Sequence, residues 1–257
     1  MTSSKSSFIS QCIIPLALFA VAAAPSPAFA QAAQKRETQE AYENSANKHV
    51  KNAVAVVKRM ESDRTMQRVM VDAKGIYIVP TYGRAALGVG GQGGAGVLLV
   101  RQGPDWSDPA FYNIGGISIG AQVGAEGGAV AFVLKNEKAV QRFTDKNNFS
   151  LTADAGITVI NWTKIAQGST GEGDVIAWSG TKGLFGNVAT IGVNDIRYNE
   201  RMTSAYYGKT TTAMEVIDGK VKNPASDALK QALVDTSSGA ASGKSGGGSG
   251  AMPEQKK

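Results

Sequence analysis

Residues 75–101 read GIYIVPTYGRAALGVGGQGGAGVLLVR, and the fold of the chain turns on this stretch and its echo. Val89-Gly90-Gly91-Gln92-Gly93-Gly94 recurs 34 residues later as Val123-Gly124-Ala125-Glu126-Gly127-Gly128. Each copy runs into an apolar strand-like segment that ends in a base, Arg101 or Lys135. Between Gly83 and Gly128 there are 14 glycines in 46 residues, which no stable helix would tolerate. Two copies are too few for a solenoid. They predict two similar strands, bent or bulged at glycine, within one antiparallel sheet. Ile76 to Val79 reads as a strand closed by Pro80, followed by Gly-rich segments alternating with short β-branched runs through Leu134.

Upstream of this stretch the period is helical. From Gln34 to Met60, residues Ala46, Val50, Ala53, Val54, Val57 and Met60 gather on one face at about 100° per residue, with Lys48, Lys51, Lys58 and Arg59 opposite. Glu37, Glu40 and Glu43 lie near the start, where acids suit the helix dipole. The pattern breaks at Ser62-Asp63, and a second short helix is expected from Thr65 to Lys74 with Gly75 at its C-cap. The aliphatic stripe of the first helix has two readings. It packs on the sheet, as most amphipathic helices do, or it meets a membrane.

Downstream, Asn136 caps a short helix through Phe143. Strands are expected near Phe149–Thr152, Gly156–Ile160, Val175–Trp178 and Val188–Val193, and a helical turn over Arg201–Tyr207. Asn223-Pro224 starts a terminal helix to about Val234, with Asn as N-cap and Pro at N1. The fold class is therefore α+β: one domain with a Gly-rich antiparallel sheet, closed as a barrel or a sandwich, N-terminal amphipathic helices and a C-terminal helix.

The ends of the 257-residue chain read differently. Lys5, the apolar run Phe8 to Ala24 and the triplet Ala28-Phe29-Ala30 have the layout of a secretory signal peptide cleaved before Gln31. The one cysteine, Cys12, falls in this leader without a lipoprotein box, so the exported protein is expected to be cysteine-free and unlipidated. The expected organisation is a signal peptide over 1–30, an N-terminal extension over 31–41, a domain over 42–235 and a flexible Gly/Ser/Lys tail over 236–257. The expected location is periplasmic or secreted.

Charge narrows the partners. The chain carries 27 Lys+Arg against 21 Asp+Glu, for a formal charge of +6. Residues 35–74 hold 9 bases and 6 acids, 75–219 hold 11 and 12, and 220–257 hold 6 and 3. The surplus lies in the flanking helices and tail around a neutral body, which points to a local anionic contact. Nucleic acid is not expected, because the bases are not interleaved with aromatics.

Two motifs imitate enzymes. Gly88 to Gly93 and Gly91 to Gly96 each satisfy GxGxxG, but a strand follows where a dinucleotide site needs a helix N-terminus. Gly116-Ile117-Ser118-Ile119-Gly120 matches the nucleophile elbow, yet the sole histidine, His49, lies upstream, where an α/β-hydrolase chain does not place it. Asp154, Glu172, Asp174 and Asp195 show no acid/base spacing, and Trp106, Trp162 and Trp178 read as packing residues. No catalytic residue, cofactor or metal is expected.

Several strings together resemble the SYLF domain family: Ala73 to Pro80, Gly88 to Val100, Trp106-Ser107-Asp108-Pro109-Ala110, Gly115 to Glu126, Thr181-Lys182-Gly183-Leu184-Phe185 and Asn199 to Gly208. In order and spacing the resemblance covers roughly residues 42–220. It implies a lipid-binding, in particular phosphoinositide-binding, domain whose N-terminal amphipathic helix contributes to membrane contact. Eukaryotic members join the domain to an SH3 module at membranes and actin patches, whereas bacterial members resemble the domain alone behind an export signal. The capacity that carries over is binding to anionic phospholipid at the cell envelope. On this sequence the implied lipid-binding residues are Lys48, Lys51, Lys58 and Arg59, with Lys182, Leu184 and Phe185 from the TKGLF string. The competing expectation is an envelope protein-interaction or structural module, its Gly-rich strand edges open to a partner.

Overall fold

The computed structural model describes residues 27–145, 148–151, 157–168, 173–181 and 195–242. The chain divides into a unit through Glu37 and a unit from Thr38 onward. The first contributes only the opening of helix α1 (Pro27–Glu61) to the description, and the second holds the sheet and its helices.

Helix α1 stops where its pattern breaks. Ser62 Oγ donates to the Arg59 carbonyl (2.7 Å), and the Asp63 carboxylate accepts from the Thr65 and Met66 amides (2.7 and 3.2 Å), capping helix α2 (Arg64–Val71). An N-cap carboxylate in this position is worth about 1 kcal/mol. Helix α2 ends three residues before the expected Lys74. Its C-cap is Asp72, and Gly75 instead opens a strand.

Two strands dominate. β1 (Gly75–Gln102) and β3 (Ala110–Leu134) pair antiparallel from Gly75↔Leu134 to Leu98↔Ala110, with register shifts between Val79 and Tyr82 and between Leu87 and Val89. The repeated segments thus fall on two strands of one antiparallel sheet, as expected. Pro80 does not close the strand. It sits in the first register shift, where a residue without an N–H breaks no ladder bond.

β1 also folds back on itself. The Arg101 amide donates to the Lys74 carbonyl (2.9 Å), and a Cβ on Gly94 would stand 2.5 Å from the Thr81 carbonyl oxygen. One on Gly96 would strike the Ile78 carbonyl, the Tyr77 ring (2.8 Å) and Val79 (2.9 Å). Residues 94–101 therefore run against 74–81, an approach that glycine alone permits.

Short strands extend this pair. β2 (Asp105–Trp106) closes a hairpin on β1 across Gly103, whose φ of 63° suits glycine. β4 (Asn148–Phe149) pairs with β7 (Asp195–Tyr198), which pairs with β3, while β5 (Val159–Asn161) lies parallel to β6 (Val175–Ser179) on the far side. β4 and β5 are shorter than expected, β7 was not anticipated, and the strand expected at Val188–Val193 lies outside the described residues.

Alternation along the strands feeds two cores. Ile76, Ile78, Val97, Leu99, Phe111, Val133, Ile176 and Trp178 face one way. Against them pack Ala46, Val50, Ala53, Val57 and Met60 of α1, Met66 and Met70 of α2, and Leu229 and Leu233 of the C-terminal helix α7 (Asp227–Ser242). On the other face Tyr77, Leu98, Tyr112, Phe132, Leu134 and Val175 meet Phe143 of α3 (Glu137–Asp145) and Val216 of α6 (Ala213–Ile217). Each such side chain contributes about 1.5–3 kcal/mol on burial. The Tyr77 hydroxyl donates to the Tyr112 carbonyl (3.0 Å), and the Tyr112 hydroxyl to that of Phe143 (2.6 Å), so neither phenol is buried unpaired.

The bases that end the two repeats converge. Arg101 Nη1 donates to the Val71 carbonyl (3.0 Å), and Lys135 Nζ to that of Val69 (3.2 Å). Both cations cap the negative end of α2. Equivalent positions in the two copies thus serve one helix from two strands.

Helix α3 is capped as expected, by Asn136 Oδ1 on the Ala139 amide (3.0 Å), and the expected turn near Arg201 is helix α5 (Glu200–Tyr207). Asn223 opens a 3₁₀ turn over Pro224–Ser226 before α7, which runs to Ser242 and not to Val234. Thr236 and Ser237, buried, hydrogen-bond back to the Ala232 and Leu233 carbonyls (2.8 and 2.7 Å). Two hydroxyls that read as tail therefore belong to a packed helix.

Candidate functional site

Helix α1 presents the candidate surface. With its aliphatic stripe buried against the sheet, Lys48, Lys51, Lys58 and Arg59 are exposed on the outer side. This resolves the two readings of the stripe: its apolar side chains are core, so in this conformation only the basic face is available. Among the described residues none of the three lysines forms an ion pair. His49 is half-buried on the same helix, and burial, then the Lys48 charge, lowers it below the usual imidazole value. At neutral pH it adds no cation.

Arg59 differs from the lysines. Its guanidinium donates to the Gly180 carbonyl (2.5 Å) and lies 5.6 Å from the Trp178 ring centroid, within cation–π range. It is therefore pinned to the end of β6, two residues before Lys182 in the chain. Lys182, Leu184 and Phe185 themselves lie outside the described residues. Sequence reasoning chose Arg59 for its helix face. It could not see that Trp178 would hold it there.

The WSDPA string has a different task. Asp108, buried, accepts from the Asn223 amide (2.9 Å), the Ser226 hydroxyl (2.7 Å) and Lys230 Nζ (3.2 Å). Burial opposes the Lys230 charge, but hydrogen bonds and charges from Asp227 and Asp108 raise that amine above the usual lysine value. This is a latch that fixes the start of α7 to the sheet. No sequence signal marked it, because its partners lie more than a hundred residues downstream.

The enzyme-like motifs dissolve into strands. Both GxGxxG matches lie inside β1, and Val97 to Val100 continues as strand, so the glycines lead into strand and not into a helix N-terminus. The GISIG string lies inside β3 and makes no turn into a helix. Asp174 accepts from the Thr158 amide (2.7 Å) and Asn136 (2.5 Å), the Thr158 bond first and the Asn136 bond second lowering its pKa, and Asp195 pairs with Arg197 at 2.6 Å. Asp154 and Glu172 lie outside the described residues. Among the described residues no cluster of His, Cys, Asp and Glu could hold a metal, and no helix is long and apolar enough to cross a membrane. Trp106 and Trp178 are buried, and Trp162 packs on the same core.

The architecture is a curled sheet covered by helices on both faces, with the bases of α1 turned outward. The resemblance to the SYLF family is borne out: residues 115–236 match the family model described as Ysc84, Las17-binding protein actin regulator. The matched segment begins within β3, downstream of α1. Among relatives, the chain is 29% identical over 172 residues to Protein YSC84 of Saccharomyces cerevisiae, covering 64% of this chain and 36% of that protein. It is 28% identical over 162 residues to LAS seventeen-binding protein 3 of the same species (61% and 35%). It is 26% identical over 162 residues to SH3 domain-containing YSC84-like protein 1 of Mus musculus (61% and 47%). The chain thus spans about a third to a half of the length of these relatives. No solved structure matches it.

Proposed function

We propose that this chain is a non-enzymatic binding protein that docks peripherally on anionic phospholipid at the cell envelope through the outer face of α1. The observation that carries the reading is the division of that helix: its apolar stripe is consumed by the core while Lys48, Lys51 and Lys58 stand exposed without ion pairs among the described residues. Docking of this kind is electrostatic and needs no inserted side chain. Bases near an anionic surface contribute about 1 kcal/mol each, so three supply about 3 kcal/mol. Binding then weakens as salt shortens the Debye length toward about 8 Å. Lys182, Leu184 and Phe185 are proposed as further lipid contacts, with Arg59, and the leader through Ala30 is proposed to direct export before cleavage. Edman sequencing of the secreted chain checks the last point, which fails if Gln31 is not its first residue.

The main test is co-sedimentation of the chain from Gln31 with phosphatidylcholine vesicles, with and without phosphatidylglycerol. Selective, salt-sensitive binding that is lost in Lys48→Glu/Lys51→Glu/Lys58→Glu supports the reading. Equal binding to both vesicles, or no binding at low salt, sinks it. A second reading draws on the relatives' names, which describe Las17-binding and SH3 domain-containing proteins. In it the same module binds an envelope protein and no lipid, and capture from envelope extract after failure in pure vesicles would favour it.

A further inference from the structure

The exposed cations do not stop at α1. β5 and β6 pair in parallel from Val159↔Val175 to Asn161↔Ala177, so both carry the chain to the same end of the sheet. There Asn161 caps the short helix α4 (Trp162–Ala166), its side chain accepting from the Thr163 amide (3.0 Å), and β6 passes into Gly180, which holds Arg59. Helix α2 packs against α4, and Trp162 and Ile165 join the core that α1 and α2 cover. The C-terminal end of α1, the whole of α2 and α4 therefore meet around one end of the sheet.

What these elements turn outward is basic. Helix α2 buries Thr65, Met66, Val69 and Met70 and exposes Arg64 and Arg68, one helical turn apart. Helix α4 exposes Lys164. Over residues 43–72 and 157–168 the bases are Lys48, Lys51, Lys58, Arg59, Arg64, Arg68 and Lys164, against Glu43, Glu61, Asp63 and Asp72, of which Asp72 pairs with Lys135. Asp63 is engaged as the cap of α2. None of the seven cations forms an ion pair among the described residues. The face over the opposite core is mixed, with Glu137, Lys138, Arg142 and Asp145 on α3 and Glu215 and Asp218 beside Lys209 and Lys220 around α6.

We infer that Arg64, Arg68 and Lys164 form a second contact area that widens the α1 site into a two-dimensional basic face, fitted to the plane of an anionic bilayer. The inference rests on the phospholipid reading above and names the part of the surface that meets the lipid. A row of bases along one helix contacts a line of headgroups. Bases on three elements around a sheet end contact an area, and they orient the domain with β5, β6 and α4 toward the membrane. Seven cations spread over three elements suit many headgroups at once better than a single one.

The experiment uses the full chain from Gln31 and phosphatidylcholine vesicles containing phosphatidylglycerol. In Arg64→Glu/Arg68→Glu/Lys164→Glu the α1 bases remain. With each base worth about fivefold near an anionic surface, removing three is expected to cost about a hundredfold in partition coefficient. Arg64→Gln/Arg68→Gln/Lys164→Gln removes the three charges without reversing them and should lose that hundredfold, the Glu triple more, with an unchanged melting temperature, which separates lost attraction from lost fold. Lys220→Glu/Lys222→Glu, away from this face, should bind within about twofold of the parent, a change worth less than about 0.5 kcal/mol. Binding by the Glu and Gln triples at the parent level, while the α1 triple loses it, overturns this inference and leaves the phospholipid reading standing. Failure of the parent itself to bind overturns the reading beneath it.

Discussion

Replacing Gly96 by alanine tests the fold-back of β1 at its tightest point. The added methyl would meet the Ile78 carbonyl oxygen, with the Tyr77 ring at 2.8 Å and Val79 at 2.9 Å. Tyr77 and Val79 are fully buried, and the Tyr77 hydroxyl is tied to the Tyr112 carbonyl, so the ring cannot simply swing away. Overpacking in a core costs typically about 1–3 kcal/mol, and a clash with backbone belongs at the upper end, so about 3 kcal/mol is expected. For a domain of this size each 1 kcal/mol moves the melting temperature by about 2–4 °C, which predicts a fall of about 6–12 °C. The matched control is Gly91→Ala, where nothing among the described residues lies within 4 Å of the new methyl. There the change should be neutral or stabilising by at most about 1 kcal/mol, since alanine is the less flexible residue in the unfolded chain. Urea denaturation of the two variants, with m-values compared, makes the measurement. Equal stability of Gly96→Ala and the parent would refute the fold-back, and with it the structural reason for this glycine.

Asp108→Asn keeps the shape of the latch but removes the charge that Lys230 pairs with, and should cost about 1.5–3 kcal/mol, the value of a hydrogen bond to a charged group; limited proteolysis should find α7 released before the rest of the chain. Tyr112→Phe leaves the buried Phe143 carbonyl without its 2.6 Å donor and should cost about 1–3 kcal/mol in chemical denaturation. Burial raises the phenols of Tyr77, Tyr112, Tyr206 and Tyr207 above their ordinary value of 10.0, and pushes Tyr198 up to about 12. For such groups the folded state keeps protons that the unfolded chain has lost. Stability is therefore full below pH 10 and should fall as pH rises above it, visible as a melting temperature that declines only on the alkaline side.

Much of this architecture was legible because it is local. Helical and two-residue periods separated α1 from β1, and the change falls where Asp63 caps α2 and Gly75 begins the strand. The doubled Gly-rich segment announced two kindred strands, which β1 and β3 are. Asn136 and Asn223 were readable as caps because a cap acts on amides two or three residues away. Pro80 misled, since a proline that ends most strands can sit in a bulge. The serines and threonines after Val234 misled for a related reason: they look solvated, but once leucines dock a helix their hydroxyls bond within it. On the candidate site, the basic face of α1 was visible in the spacing of Lys48, Lys51 and Lys58. Arg64, Arg68 and Lys164 were not singled out, because on short helices with no long apolar stripe the side each base takes is set by contacts to other elements.

Residue order alone thus determined the helix–sheet–helix plan, the pairing of two Gly-rich strands and the neutrality of the body against basic flanks, all consequences of periodicity, backbone freedom and charge counting. Tertiary structure decided which way α1 turns, that Trp178 and Gly180 hold Arg59, that Asp108 ties α7 to the sheet, and that α2 packs against α4. The physical reason is distance along the chain. Arg59 meets a carbonyl 121 positions away and Asp108 a lysine 122 away, and such contacts exist only after the curled sheet has brought those segments together.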